Sequence, residues 1–335
     1  MRKYIILPFF LLFSSFFGSC NYLNVDDYFE DTFQEDSIYA NKLNIERYFN
    51  GAAALLPEVN KLCEAGNTPG ITGSDEGVSC GEWSTMFGAV QYSGTKFLNN
   101  EIILPHIESV PNMNSFEKME FRSRCRFLRA YAYYLILQQN GPMILLGDEI
   151  LNNNAESDYY ARTRNTYDEC VDYICKEFEE ASVNLPASFT VMEPYIPTQG
   201  AALALVARIR LQAASSLYNG GDAARRFFGD FTRCTDGVYY ISQTYDERKW
   251  AVAAAAAKRV IDLGRYQLHT VADENGKVTL PANVSTREFP EGVGLGTYKL
   301  DPYRSYSEMF NGETAISNNP EFIWISNSSG VGGSI

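Results

Sequence analysis

Between residues 115 and 139, Phe121, Cys125, Leu128, Ala132 and Leu135 recur at steps of four, three, four and three, the period of one helix face. Arg122, Arg126 and Arg129 lie on a separate stripe, where acidic neighbours are their expected partners, and Gly141-Pro142 ends the run. A long helix with one apolar face is not stable alone in water, so other segments must pack on it. Their periodicity is legible. Tyr167, Val171, Ile174, Phe178, Ala181 and Leu185 form one stripe behind a Thr166–Glu169 capping box, with Pro186 closing the run. Thr198 caps a helix over 199–217 whose face is Ala202, Leu205, Ile209 and Ala213. Trp250, Ala254, Ala257 and Ile261 predict another over 250–263, ended by Gly264, with Trp250 in the core.

Upstream, Ile45, Tyr48, Phe49, Ala52, Leu55, Leu56 and Val59 predict a helix over 44–62, and Trp83, Phe87 and Val90 one over 83–98. Between them, 66–81 is rich in Gly, Ser, Thr and Pro; a loop of that length inside a domain is usually functional or mobile. Segment 225–240 reads as a loop, and 266–280 alternates around Asp273-Glu-Asn-Gly276, the signal of a minor β-hairpin. Beyond Pro281 the chain is rich in Gly, Pro and Tyr, with one apolar run over 321–325 that holds Trp324, expected in the core.

Two features say that the helices come as stacked hairpins. Ile174, Phe178, Ala181 and Pro186 have the spacing of the small, aromatic, small and proline positions of a tetratricopeptide second helix. The alanine-rich helices at 199–217 and 250–263 permit the close approach that stacking requires. The 34-residue period itself is absent, and an undifferentiated helical bundle fits the same faces.

The first residues are a separate matter. Arg2 and Lys3 precede an apolar run over 4–17 and then Gly18-Ser19-Cys20, the layout of a secretory signal too short to span a membrane. Small residues before a cysteine also fit a lipobox, in which Cys20 becomes the acylated first residue of the mature chain; the alternative is an ordinary signal cut near Ser19. Residues 1–19 are then the signal peptide and 20–40 a polar, acidic, lipidated leash.

A formal charge of −13 argues against nucleic acid or an anionic lipid surface as partner, since both need basic patches. Six cysteines remain after Cys20; their place on helix faces favours buried free thiols, with Cys63–Cys80 the one pairing worth testing. His106 and His269 lack the Cys or carboxylate spacing of a zinc site, and neither metal nor cofactor is expected.

Several segments together resemble the SusD/RagB family of nutrient-uptake outer-membrane lipoproteins. These are Cys20 with Tyr22-Leu-Asn-Val25, Ser74-Asp75-Glu76 followed by Trp83-x-x-Met-Phe87-x-x-Val90, and Arg126-Phe-Leu-Arg-Ala-Tyr-Ala-Tyr-Tyr134 with Gly141-Pro142. Segments 166–186, 198–211, 250–268 and Glu321-Phe-Ile-Trp324 match in order. The resemblance implies an all-α, tetratricopeptide-like superhelix of helical hairpins over 41–280, with long irregular loops and an irregular, loop-rich segment over 281–335. It also implies a lipid-anchored lid at the cell surface that captures oligosaccharides and delivers them to a SusC-like TonB-dependent transporter. Members usually continue beyond the point where this sequence stops, so an N-terminal fragment is expected.

A glycan binder needs aromatic faces for the C–H side of sugar rings, and amides or carboxylates for hydroxyls. Trp83, with Asp75 and Glu76 upstream, is the first candidate, against a core tryptophan opening a helix. Tyr298, Tyr303 and Tyr306, with Phe289, lie near Lys299, Asp301 and Arg304 and form the second, against aromatics that merely pack a loop down. Catalysis finds little support. No nucleophile elbow, phosphate loop or HExxH occurs, and Gly292-Val-Gly-Leu-Gly296 precedes no helix. The rival readings are a peptide-capturing lid of the same transporter type and a helical glycoside hydrolase using two carboxylates.

Overall fold

Asn114 starts the central helix by accepting from the Glu117 amide at 3.0 Å, while Glu117 accepts from the Asn114 amide at 2.8 Å. This reciprocal cap satisfies two donors that the first turn would otherwise leave unpaired. A computed structural model describes residues 39–53, 104–149, 151–152, 154–190, 196–272, 300–315 and 318–324 of the chain. Its main helices are α1 (Lys42–Ala53), α2 (Ser115–Asn140), α3 (Tyr167–Ser182), α4 (Gln199–Ala214), α5 (Gly221–Phe228), α6 (Arg248–Asp262) and α7 (Pro302–Ser307). Short helical turns occupy Leu104–His106, Ile107–Ser109 and Ser157–Tyr160. Among the described residues no strand forms; extended backbone pairs in isolated bridges such as Thr232–Tyr239 and Ala272–Leu300.

The helices stack in chain order, α2 on α3, α3 on α4 and α4 on α6. Every residue of the α3 stripe is buried, from Tyr167 to Leu185, and the Thr166–Glu169 cap forms as expected. Thr198 accepts from the Ala201 amide at 3.1 Å, and Gly264 closes α6 at φ +64°. The helical hairpins expected from the sequence are therefore present.

Helix α2 serves two cores. Phe121, Cys125 and Leu128 enter a cluster with Ile45 and Phe49 of α1 and with Ile107, Val110 and Met113. Phe127, Ala130, Tyr133, Tyr134 and Leu137 enter the larger cluster built on α3 and α4. The single stripe expected from the sequence is thus too narrow, and Leu135 on it is only half-buried. The arginines have acidic partners, as expected: Arg122 meets Glu108 at 2.6 Å, and Arg126 meets Glu180. Arg129 is buried, 1% exposed, and bonds Glu177 of α3 and Asp148, each at 2.5 Å. Burial disfavours its charge, but Glu177 and Asp148 outweigh that and hold its pKa above the usual value.

Two expectations about the helices are overturned. Segment 225–240 is not a plain loop, because α5 occupies its start and Thr232 bridges Tyr239. Tyr218, Phe228, Phe231 and Tyr240 stack in series there, ring centroids 4.8–6.4 Å apart, so aromatic packing orders a stretch that lacks simple periodicity. Helix α6 is rotated from its expected orientation. Trp250 is 45% exposed and Ile261 75%, Ala254 and Ala257 are exposed, and Ala253 and Ala256 face the core instead. With alanine filling five consecutive positions after Val252, either side can pack; contact with α4 selects the two small residues, which allow the closest approach.

Cys125, Cys170 and Cys175 are buried thiols as expected, and burial pushes Cys175 up to about 12; Cys234 is a thiol too but is exposed, contrary to that expectation, because it lies in the loop after α5 and not on a helix face. Cys63, Cys80, the hairpin turn at 273–276 and the helix over 83–98 lie outside the described residues. No described helix is long and apolar enough to cross a membrane.

Candidate ligand-binding site

Helix α7 is short, and polar bonds rather than apolar burial hold it. Asp301, 7% exposed, caps it by accepting from the Arg304 amide at 2.9 Å, and Pro302 stands at its first position. The Asp301 amide donates to the Val271 carbonyl at 2.8 Å, and the Val271 amide donates to the Ser305 hydroxyl at 2.9 Å. Behind the helix, Glu308 accepts from Arg304 Nε at 2.8 Å and lies 3.4 Å from His269 Nε2.

Segment 318–324 fixes this assembly to the scaffold. The Glu321 carboxylate accepts from the His269 amide at 2.8 Å, and the Ile323 carbonyl accepts from the Thr198 hydroxyl at 3.2 Å. Trp324 packs edge-on against Phe127 and Tyr131 of α2, centroids 5.1 and 5.5 Å away; it lies against the larger core as a half-buried residue and not, as expected, within it. The site is thereby tied both to the central helix and to the cap of α4.

With its polar groups turned to these anchors, α7 leaves its rings in solvent. Tyr303 is 43% exposed, Tyr306 67% and Phe310 71%, and the Tyr306 and Phe310 rings lie 5.3 Å apart at 56°. Such an exposed group of large rings is unusual unless something covers it. Arg304 at its edge, with a half-exposed side chain, supplies donors that a hydroxylated ligand can use. Two of the residues singled out from the sequence, Tyr303 and Tyr306, are thus brought together. Phe310 was missed as a site residue, although it stands four positions after Tyr306. Cys20, Asp75, Glu76, Trp83 and Tyr298 lie outside the described residues.

A SusD-like family model, described as "Starch-binding associating with outer membrane", matches residues 83–211, from Trp83 to the last turn of α4. Over that stretch the chain is similar to the SusD-like family. Among solved structures, the protein named BT4246 shares 24% identity with a TM-score of 0.50, covering 84% of this chain and 43% of its own. That likeness gives the same helical fold. A SusD-like carbohydrate-binding protein from Bacteroides fragilis NCTC 9343 matches at 15% identity and TM-score 0.44, over 71% of this chain and 44% of that one. A second SusD-like protein from the same strain matches at 19% identity and TM-score 0.42, over 71% and 40%. The chain therefore spans less than half the length of these structures. No curated protein sequence matches it.

Proposed function

We propose that this SusD-like chain captures oligosaccharides at the cell surface and hands them to a SusC-like TonB-dependent transporter in the outer membrane. The observation that carries the reading is the exposed Tyr303, Tyr306 and Phe310 group on a helix anchored by buried polar bonds. Flat apolar rings bordered by donors fit the C–H faces and hydroxyls of sugar rings. The description of the matching family model, starch-binding and associating with the outer membrane, supports the same ligand class and place. Tyr298, Trp83, Asp75 and Glu76 are the further residues proposed to contact ligand, on the grounds of their chemistry in the sequence. Residues 1–19 are removed, Cys20 carries the acyl anchor, 20–40 is the leash, 41–280 the tetratricopeptide-like core and 281–335 the loop-rich segment. The chain acts as a binder without catalysis.

The test is isothermal titration with a panel of neutral oligosaccharides, with wild type and Tyr306→Ala/Phe310→Ala compared. Losing two aromatic contacts at about 1 kcal/mol each should weaken binding by about tenfold or more, while far-UV circular dichroism is unchanged. Unaltered affinity in a folded variant refutes the patch as the site. Trp83→Ala, measured alongside, should weaken binding without loss of helix signal. Release of reducing ends from the same panel would favour the glycosidase reading instead.

A further inference from the structure

A cleft of about 370 Å³ opens where α3 and α6 flank α4, and no residue of the aromatic patch lines it. That volume lies within the range of small-molecule sites. Two ion pairs form its walls: Lys249 of α6 bonds Asp168 of α3 at 2.6 Å, and Arg210 of α4 bonds Asp172 of α3. Asp168 and Asp172 are one helical turn apart, so the two pairs stand side by side about 5–6 Å from each other. Val252, 46% exposed, gives the cleft its apolar surface, while Val171 beside it is buried.

The charges decide what such a cleft accepts. Three aspartates balance three basic side chains along the lining. The cations lie deeper, with the Arg210 and Lys249 side chains 24% and 20% exposed, while those of Asp172 and Asp168 are 70% and 41% exposed. An anion that took over Arg210 or Lys249 would displace its aspartate, and a cation that took over Asp168 or Asp172 would strip it from its partner, while Arg248, 85% exposed, stays paired with Asp246. A neutral hydroxylated ligand disturbs neither pair. A carboxylate in one ion pair keeps lone pairs to spare, and an ammonium or guanidinium keeps N–H groups to spare. Each wall therefore offers an acceptor next to a donor, and a hydroxyl is both. Two walls a helical turn apart meet successive hydroxyls of one sugar, whose C–H face rests on Val252.

We propose that this cleft is a second carbohydrate subsite, separate from the aromatic patch, that holds one or two units of a neutral saccharide through their hydroxyls. The ligand class rests on the glycan-capture reading above, but the location rests on the cleft alone. With no aromatic ring in its lining, the subsite gains no stacking and binds more weakly than an aromatic platform. Its use is to hold a second stretch of a glycan already caught elsewhere on the chain.

The test is a methyl spectrum of the chain labelled at valine, with Val171 and Val252 assigned by Val171→Ile and Val252→Ile. Maltotriose, cellotriose and xylotriose are titrated separately, then galacturonic acid and inorganic phosphate, into wild type, Tyr306→Ala/Phe310→Ala and Asp172→Ala. The expected result is that one of the neutral sugars moves both methyls in wild type and in the patch variant. Asp172→Ala, at an exposed side chain, should then raise the midpoint about tenfold. Methyls unmoved by all three sugars overturn the subsite, and patch-dependent calorimetric binding in that case leaves the capture reading standing. Movement with phosphate or galacturonic acid but with no neutral sugar overturns it in favour of an anion site. A sugar response that Asp172→Ala leaves unchanged also overturns it.

Discussion

The buried pair between Arg129 and Glu177 is the sharpest test of how α2 and α3 are joined. Arg129 is 1% exposed and Glu177 7%, so neither charge can be rescued by water when its partner goes. Arg129→Met leaves a buried carboxylate whose nearest remaining cation is Arg126, 4.0 Å away. Breaking a buried pair usually costs about 3–5 kcal/mol, and this partial substitute places the cost near 3. Glu177→Leu is milder, about 2 kcal/mol, because Arg129 keeps the Asp148 carboxylate at 2.5 Å. The double variant removes both buried charges and frees only Asp148, whose side chain is 77% exposed and readily hydrated. It should cost no more than about 2 kcal/mol, which leaves a coupling of about 3 in the double-mutant cycle. Equilibrium urea unfolding at 222 nm measures all four, provided the slope of stability on urea stays constant. A loss below about 1 kcal/mol in Arg129→Met, or a double variant as costly as the two singles together, refutes the buried-pair account.

Three further expectations follow from the same packing. Phe178→Ala should cost about 3–5 kcal/mol by leaving a cavity in the larger core, whereas Trp250→Ala on the exposed side of α6 should cost less than about 1; urea midpoints compare them, and equal losses would return Trp250 to the core. Gly220→Ala should cost about 2 kcal/mol or more, because φ is +65° and a Cβ there would sit 2.2 Å from the Thr244 carbonyl carbon. The hydrogen bond from the Thr166 amide holds Glu169 below its ordinary pKa of 4.5. Its stabilisation is therefore complete above pH 4.5 and lost as pH falls through the depressed value, so the thermal-stability gap between wild type and Glu169→Gln should close on that side and stay open at neutral pH.

How legible each part was follows from where its information resides. Helix α3 was read correctly along its whole stripe because its apolar positions contrast with charged ones and its cap is a local motif. Helix α6 was not, because a run of alanines carries no contrast and its orientation depends on how near α4 can come. Helix α2 falls between the two. Its period was right, but a helix buried by two cores has apolar residues on several sides, so any single stripe underestimates what is covered. Arg129 belongs to the same problem, because an acidic partner is the expectation for every arginine of the stripe, and its burial shows only once Glu177 is placed opposite it. Tyr303 and Tyr306 were legible as chemistry and not as geometry. Aromatic residues in an irregular segment give no sign of whether they face water, and Phe310 lacked even a motif to point to it.

The anchoring of α7 explains why scaffold and candidate site belong to one physical argument. A helix of 6 residues has almost no intrinsic stability, so its exposed rings keep their positions only because Asp301, Ser305 and Glu308 are bonded to 269–271. His269 is bonded in turn to Glu321 and nearby Gln267 to Pro320, and Ile323 and Trp324 reach Thr198 and α2. Rigid presentation matters because a sugar face contributes little per contact, and rings that must first be ordered would forfeit that gain. On the glycan-capture proposal the long central helix acts indirectly: it is the surface on which Trp324 seats the chain that holds the aromatic patch in place.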